Sequence, residues 1–186
     1  MQKIYWIILL GLFSQLAQAA NPIVTVETNH GQFVMELYPE KAPKTVANFL
    51  TYVKSGFYNE TIFHRVIDRF MIQGGGLTAD LVEKPTNAPI INESNNGLLN
   101  EVGTIAMART QDPDSANSQF FINLENNQFL NYQSPSPDLI GYCVFGRVLI
   151  GMDVVREIAS SPTGFVGGMG DVPKSPVIIQ NVKVGN

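Results

Sequence analysis

Apolar and polar residues alternate shortly after residue 20, in a pattern typical of a β-hairpin. Residues 23–27 are rich in β-branched side chains, and the Asn-His-Gly sequence at 29–31 favours a tight turn. Residues 32–37 then alternate strictly between apolar and polar positions. The apolar positions of this second strand are Phe33, Met35 and Leu37. We therefore predict two antiparallel strands with one buried face.

The next apolar pattern has helical spacing. Pro43 suits the first turn of a helix, because its fixed φ fits there and its missing N–H is not needed. Apolar residues follow at i, i+3, i+4 and i+7, namely Val46, Phe49, Leu50 and Val53. This stripe predicts an amphipathic helix that ends near Gly56. A second helix is predicted over Met152–Ala159, with Val155, Ile158 and Ala159 on its apolar side.

Short β-type runs occupy much of the remaining sequence, separated by clusters of Gly, Asn and Pro. They cover residues 63–67, 71–74, 103–108, 120–123, 142–149 and 177–184. Many short strands with two helices suggest a mostly antiparallel β-barrel capped by helices. The pattern alone leaves open whether the barrel closes.

The first nineteen residues differ from the rest of the chain. Lys3 gives a positive start, residues 4–13 are almost entirely apolar, and Ala17-Gln18-Ala19 has the small-x-small form of a cleavage site. The apolar run is far shorter than the roughly 20 residues that span a bilayer. We therefore favour a signal peptide over residues 1–19 rather than a membrane anchor, with no stable membrane insertion after cleavage.

Composition fits a single globular domain over residues 20–186. Apolar residues make up 45% and charged residues 15% of the chain, which is too apolar for a disordered protein. The net charge of −4 argues against nucleic acid as a partner, because binding phosphates requires clustered Lys and Arg. The single cysteine, Cys143, can form no internal disulfide and looks like a core residue. An export signal without disulfides fits a bacterial periplasm.

Two sequence runs concentrate the candidate chemistry. The first contains Phe63-His64-Arg65 and, a few residues later, Phe70-Met71-Ile72-Gln73-Gly74-Gly75; the second is Ser118-Gln119-Phe120-Phe121. They supply a permanently charged cation, two side-chain amides and several large apolar groups. No obvious nucleophile, acid/base pair or metal cluster accompanies them. This combination suits an enzyme that binds and twists its substrate rather than one that breaks bonds.

These runs resemble the active-site segments of the cyclophilin family of peptidyl-prolyl isomerases. The likeness extends to Gly56-Phe57-Tyr58 and Val144-Phe145-Gly146, and in order and spacing it covers essentially the whole chain after the signal peptide. The resemblance implies a closed eight-stranded antiparallel β-barrel capped by two α-helices. It also implies catalysis of rotation about Xaa–Pro peptide bonds.

The resemblance assigns roles to individual residues. Arg65 occupies the position of the family's catalytic arginine, where its guanidinium would hydrogen-bond the prolyl nitrogen or carbonyl as the amide twists. Gln73 and Gln119, with the strand edge at Ala108 and Arg109, would hold the substrate backbone. The residues that correspond to the slot for the proline ring are Phe70, Met71, Phe121 and Leu130. Phe129 and Tyr142 are also expected to bind substrate, with Tyr142 closing the pocket.

Other polar groups invite alternatives that the sequence does not favour. His64 could act as an acid or base, but isomerisation needs no proton shuttle, so we expect it only to support Arg65. Two separated histidines and one cysteine have no zinc-site spacing, and no metal or other cofactor is expected. Gly74-Gly75-Gly76 lacks the Lys-Ser/Thr of a phosphate loop and predicts close backbone packing or a turn instead. Residues 167–170 are interpreted as a surface loop.

Two residues depart from the pattern of many eukaryotic cyclophilins, which carry Trp where this chain has Phe129 and His where it has Tyr142. The tryptophan matters for cyclosporin binding in the family, so weak cyclosporin binding with retained isomerase activity is expected. The Phe/Tyr pair and the long loop at residues 109–117 resemble bacterial, particularly periplasmic, members.

The expected function is that of a periplasmic prolyl isomerase that assists the folding of exported proteins. Its partners would be proline-containing peptides and unfolded exported polypeptides, and a monomer is the default because no coiled-coil heptads are present. Two alternatives stay open at this point. The fold could serve a peptide-binding chaperone with incidental catalysis, or an effector secreted onward to act on another cell.

Overall fold

The first hairpin forms where the alternation predicts it. In the computed structural model, which describes residues 20–185, strand β1 covers Ile23–Thr28 and strand β2 covers Gly31–Leu37. The three alternating apolar side chains of β2 are fully buried. The hairpin prediction is therefore confirmed, including the face that enters the core. The predicted signal peptide at residues 1–19 lies outside the described residues.

Helix α1 covers Pro43–Lys54 and begins at the predicted proline. Its apolar stripe packs into the core, and the chain turns away at Gly56, whose φ is 68°. No side chain of its own caps the helix start. The carboxylate of Glu93 does so instead, since it accepts hydrogen bonds from the backbone N–H groups of Lys44 at 3.1 Å and Thr45 at 2.8 Å.

The remaining elements are short. The strands are β3 (Thr61–Ile62), β4 (Arg65–Ile67), β5 (Met71–Gly74), β6 (Thr104–Met107), β7 (Phe120–Asn123), β8 (Val144–Ile150), β9 (Thr163–Val166), β10 (Met169–Pro173) and β11 (Ile178–Val184). Helix α2 covers Met152–Ala159, as predicted, and buries its predicted apolar side. Two single-turn 3-10 helices occur at Ser94–Asn96 and Gln128–Leu130. Within residues 20–185, no helix is both long and apolar enough to cross a membrane.

Nine strands form one curled antiparallel sheet, in the order β3-β11-β1-β2-β8-β6-β7-β5-β4. The fold is thus mainly β with two helices, as expected, but a closed eight-stranded barrel is not confirmed. The two edge strands, β3 and β4, are consecutive in the chain and are separated only by Phe63 and His64. Backbone hydrogen bonds join Ile62 of β3 to Gly75 and Leu77, which follow β5. The sheet therefore curls until its two edges lie near each other.

One sequence interpretation was wrong. Residues 167–170 are not simply a surface loop, because β9 and β10 form a separate two-stranded hairpin and Met169 already belongs to β10. Gly167 and Gly168 make its turn with φ of 57° and 86°. Two consecutive positive φ values are what a tight hairpin turn requires, and glycine adopts them without strain.

The strands carry apolar side chains on both faces of the sheet. These side chains form two separate clusters, one on each face. On β7, Phe120 and Ile122 point into the main core, whereas Phe121 between them belongs to a smaller cluster. On β6, Ala106 joins the smaller cluster in the same way. Because side chains alternate along a strand, this second cluster lies on the opposite face of the sheet from the core. It forms the base of the site described next.

Candidate active site

One row of residues across four strands defines the site. Arg65 on β4 lies opposite Gln73 on β5, Gln73 lies opposite Phe121 on β7, and Phe121 lies opposite Ala106 on β6. Residues directly opposite each other in antiparallel strands point to the same face of the sheet. The register therefore places the cation, the amide and the aromatic ring side by side on the outer face.

A cavity of about 110 Å³ opens beside this row. It is lined by Arg65, Phe70, Met71, Gln73, Ala108, Arg109, Phe121, Leu130 and Tyr142. Every residue predicted to contact the substrate lines this cavity except Gln119 and Phe129. The structure thus brings most of the predicted residues together around one cavity, although the parts of the chain that build it are far apart in sequence.

The cavity is apolar at its base. Met71, Phe121 and Leu130 are buried in the smaller cluster, and the rings of Phe121 and Tyr142 meet edge to face with centroids 5.6 Å apart. Thioether and aromatic groups pack well against a saturated ring. The base can therefore accommodate a small apolar ring such as that of proline.

Arg65 stands at the rim as the first residue of β4 and is exposed, whereas the next residue, Val66, points into the core. In the part of the chain that the structure describes, no ion pair or hydrogen bond engages its guanidinium. Its donors are therefore available to a bound ligand, in a planar and permanently charged fork.

Gln73 and Gln119 form a pair of amides beside the arginine. The Nε2 atom of Gln73 donates to Oε1 of Gln119 at 3.0 Å, which leaves the remaining groups of both amides for a ligand. Gln119 lines an adjoining cavity of about 150 Å³ rather than the first one. Its side chain runs directly over Gly76, where an added Cβ would lie 2.5 Å from Cγ of Gln119. At Gly74, an added Cβ would lie 2.6 Å from the carbonyl oxygen of Ile62, so the close backbone packing predicted for this glycine run is confirmed there.

Ala108 and Arg109 lie where β6 has ended. Both edges of β6 are occupied, since β7 pairs with one and β8 with the other. A peptide could therefore add to this strand only beyond Met107. The backbone N–H of Ala108 already donates to the carbonyl of Gln119. The expected strand addition is thus limited to this short segment outside the sheet.

The side chain of Arg109 holds the cavity wall in place, a role that the sequence did not reveal. Its guanidinium lies 4.6 Å from the centre of the Tyr142 ring. Its Nε donates to the carbonyl of Gly141 at 3.0 Å and its Nη1 to that of Thr110 at 2.8 Å. The cation thus stacks on one face of the tyrosine while two of its nitrogen atoms donate to backbone carbonyls.

The structural role of Gly141 was also missed by the reasoning from sequence. Its φ is 69°, and a Cβ there would lie 2.6 Å from the carbonyl oxygen of Leu130. Only glycine fits this approach of two backbone segments, which brings Leu130 and Tyr142 together. The glycine directly before Tyr142 was the available signal.

Phe129 does not line the cavity. Its ring is 68% exposed and stacks on Phe70 with the centroids 5.7 Å apart. It therefore supports one wall from outside, and its exposed face borders the opening.

His64 is buried behind the arginine, and its Nδ1 has no hydrogen-bond partner. Burial, followed by the nearby charge of Arg65, lowers its pKa from the usual 6.5 to about 4. The imidazole is therefore neutral near pH 7. Burial likewise raises the pKa of the Cys143 thiol to about 11, so the thiol stays protonated. Among residues 20–185, no group of three or more His, Cys, Asp or Glu could hold a metal ion.

Comparisons of the sequence and of the structure with known proteins point to the same family. The family model of the cyclophilin-type peptidyl-prolyl cis-trans isomerases matches residues 23–184. Peptidyl-prolyl cis-trans isomerase B of Escherichia coli is 56% identical over 87% of this chain and 99% of its own length. An isomerase of Acinetobacter baylyi is 53% identical over 96% of this chain and 93% of its own.

A solved structure shows the same fold. The crystal structure of a Cryptosporidium parvum cyclophilin-type isomerase, obtained in the presence of the dipeptide Ala-Pro, superposes with a TM-score of 0.73 at 26% identity. The likeness covers 88% of this chain and 99% of that one.

The lowered pKa of His64 predicts how stability depends on pH. As the pH falls from 6.5 towards 4, the unfolded chain binds a proton at this histidine that the folded chain does not bind. The contribution of the neutral, buried His64 to folding stability is therefore complete above pH 6.5 and is lost progressively as the pH falls towards 4. Chemical unfolding from pH 7 to 4 should show a shallower decline for His64→Gln than for the wild type. His30→Gln is the control, and parallel curves for the wild type and His64→Gln would contradict the prediction.

Proposed function

Because the chain belongs to the cyclophilin-type peptidyl-prolyl cis-trans isomerase family and is an enzyme of that type, we propose that the Arg65 site is where it acts. We further propose that it works on exported polypeptides in the bacterial periplasm. The observation that carries the first proposal is the coexistence of an unpaired guanidinium and an apolar cavity on one row of the sheet.

The reaction requires a twisted amide to be stabilised. Resonance gives an Xaa–Pro bond a barrier of about 18–20 kcal/mol, and uncatalysed interconversion takes about 10–100 s. When the amide twists, conjugation is broken and the prolyl nitrogen becomes pyramidal, with a lone pair that accepts a hydrogen bond. A donor that meets this lone pair only in the twisted state lowers the barrier without any covalent step.

The proposed roles follow from this requirement. The proline ring enters the cavity against Met71, Phe121 and Leu130, which fixes one side of the rotating bond. The guanidinium of Arg65 donates to the prolyl nitrogen or carbonyl as the amide twists. The free groups of the Gln73–Gln119 pair hold the neighbouring backbone. Burial of the ring supplies binding, whereas the arginine supplies the preference for the transition state.

This scheme requires no proton transfer by His64. Its neutral ring is buried and lies near enough to Arg65 for the charge of the arginine to lower its pKa. The proposed supporting role is therefore one of packing.

Replacement of Arg65 tests the assignment. Each tenfold in rate corresponds to about 1.4 kcal/mol of transition-state stabilisation, and loss of a charged donor to the twisted amide should cost about 3 kcal/mol. Arg65→Ala should therefore lower kcat/KM on a short Xaa–Pro peptide by about 100-fold, measured by direct NMR exchange or a protease-coupled assay.

Arg69→Ala provides the matched control. This neighbouring arginine is 85% exposed and pairs only loosely with Asp68 at 3.7 Å. Its removal should leave kcat/KM within about twofold, with far-UV circular dichroism showing both variants folded. Equal losses of kcat/KM in the two variants would show that the effect comes from the loss of positive charge in general. An Arg65→Ala variant with wild-type kcat/KM would show that Arg65 is not part of the mechanism.

Export rests on the first nineteen residues. Their positive start, short apolar run and Ala-Gln-Ala sequence support a cleaved signal peptide, and the lone buried thiol of Cys143 is compatible with an oxidising compartment. A broad slot that recognises proline and backbone suits many exported clients.

Cell fractionation should recover the protein in the periplasmic fraction, with a mature N-terminus at Ala20 by N-terminal sequencing. A variant with Asp in place of Leu9 and Leu10 should remain unprocessed in the cytoplasm. Recovery of the unprocessed wild type with the cytoplasm would contradict export, whereas recovery in the culture medium would support an effector.

Cyclosporin binding should be weak. Phe129 has no indole N–H to donate, and its ring already stacks on Phe70. In calorimetric titration, Phe129→Trp should bind cyclosporin at least about tenfold more tightly than the wild type, because one hydrogen bond contributes roughly 1.4 kcal/mol. Tight binding by the wild type, unchanged in Phe129→Trp, would contradict this expectation.

A further inference from the structure

Three buried asparagines lie beneath the walls of the cavity and have no role in the site as described so far. Asn100, Asn123 and Asn127 are 1%, 0% and 5% exposed. Asn123 lies directly opposite Met71 in the register of β7 and β5, so its side chain points to the same face as the base of the cavity. The other two come from the loop before β6 and from the segment that leads into the 3-10 helix at Gln128–Leu130.

The three amides are joined head to tail. Nδ2 of Asn127 donates to Oδ1 of Asn123 at 2.7 Å, and Nδ2 of Asn123 donates to Oδ1 of Asn100 at 3.1 Å. The second hydrogen of Asn123 reaches Oγ1 of Thr104 at 2.9 Å. The Asn127 and Asn123 amides thus donate in the same direction along the chain, and both N–H groups and the oxygen of the inner member, Asn123, are paired although it is buried.

Both ends of this amide chain attach to backbone that carries cavity residues. At one end, Nδ2 of Asn127 donates to the carbonyl of Phe70 at 3.0 Å. At the other end, Nδ2 of Asn100 donates to the carbonyl of Leu130 at 3.1 Å, which also accepts the backbone N–H of Tyr142 at 2.9 Å. Three walls of the cavity are therefore linked through one set of directional bonds.

The chemistry of these contacts distinguishes them from ordinary packing. Burying a polar group is unfavourable unless it is hydrogen-bonded, and apolar side chains of similar size would fill the space at less cost. Hydrogen bonds, in contrast to apolar contacts, fix distance and direction. A fully paired network of this kind specifies one arrangement of the segments that it joins.

We propose that Asn100, Asn123 and Asn127 are positioning residues that hold the walls of the proline slot at a fixed separation and thereby set its affinity for the prolyl ring. This inference rests on the proposed function of the Arg65 site. The amides touch no substrate themselves; they act through the backbone of Phe70, Leu130 and Tyr142.

Kinetics of Asn127→Ala test the inference. This change removes the hydrogen bond that holds the backbone of Phe70, so one wall of the slot should move. The slot should then bind the ground state and the transition state equally poorly, so KM should rise about tenfold while kcat stays within about twofold. The control is Thr28→Val, which removes two hydrogen bonds from another buried side chain, at the end of β1. This control should keep the wild-type KM. An unchanged KM in Asn127→Ala, or equal changes in both variants, would overturn the proposal.

A measurement on the wild-type protein decides the question even if Asn127→Ala does not fold. On titration with an Ala-Pro peptide, the side-chain amide NMR signals of Asn100, Asn123 and Asn127 should shift together with the backbone signals of Phe121 and Tyr142. The side-chain amide of Asn29, which donates to the carbonyl of Pro176, should not shift. Shifts of the backbone signals without the three asparagine signals would overturn the proposal.

The two proposals fail in different ways. If Arg65→Ala retains full activity, the proposed function of the site fails. If Arg65→Ala is inactive while Asn127→Ala keeps the wild-type KM, the site stands and only the role of the asparagines is wrong.

Discussion

The structure depends on one constraint, the strict alternation of side chains along β4, β5, β7 and β6. In each of these strands, one set of residues fills the core and the other points outward. Because the strands pair in register, the outward sets line up as the row from Arg65 through Gln73 and Phe121 to Ala106. A shift of one residue in β7 would bury Phe121 and expose Phe120 and Ile122. The packing of the core therefore holds the candidate active site in place.

This arrangement explains how an isomerase can work without reactive groups. The sheet supplies a rigid base, residues of the smaller apolar cluster line the cavity, and the unpaired guanidinium of Arg65 stands at its rim. Arg109 and the buried asparagines stabilise the walls through backbone carbonyls and the face of Tyr142. Two arginines thus lie at the cavity: the guanidinium of Arg65, which we propose meets the substrate, and that of Arg109, which holds the wall. The two arginines are chemically alike, and their surroundings separate their roles.

Periodic features could be predicted from the sequence. The first hairpin and both helices were located because their apolar spacing is regular. Strands β5 and β7 coincide with short β-type runs, and most of the cavity lining followed from the family resemblance. Strand β3 has two residues, too few to show a period, and the β9–β10 hairpin was hidden by its glycines. The stacking of Arg109 on Tyr142 and the link between Asn100 and Asn127 join distant parts of the chain, so they emerge only once the sheet has formed.

The most direct test of this account is an experimentally determined complex with an Ala-Pro peptide. The account predicts the proline ring in the cavity against Met71, Phe121 and Leu130, with the Arg65 guanidinium about 3 Å from the prolyl carbonyl or nitrogen. A ring bound instead in the adjoining cavity beside Gln119, with Arg65 turned to solvent, would contradict it.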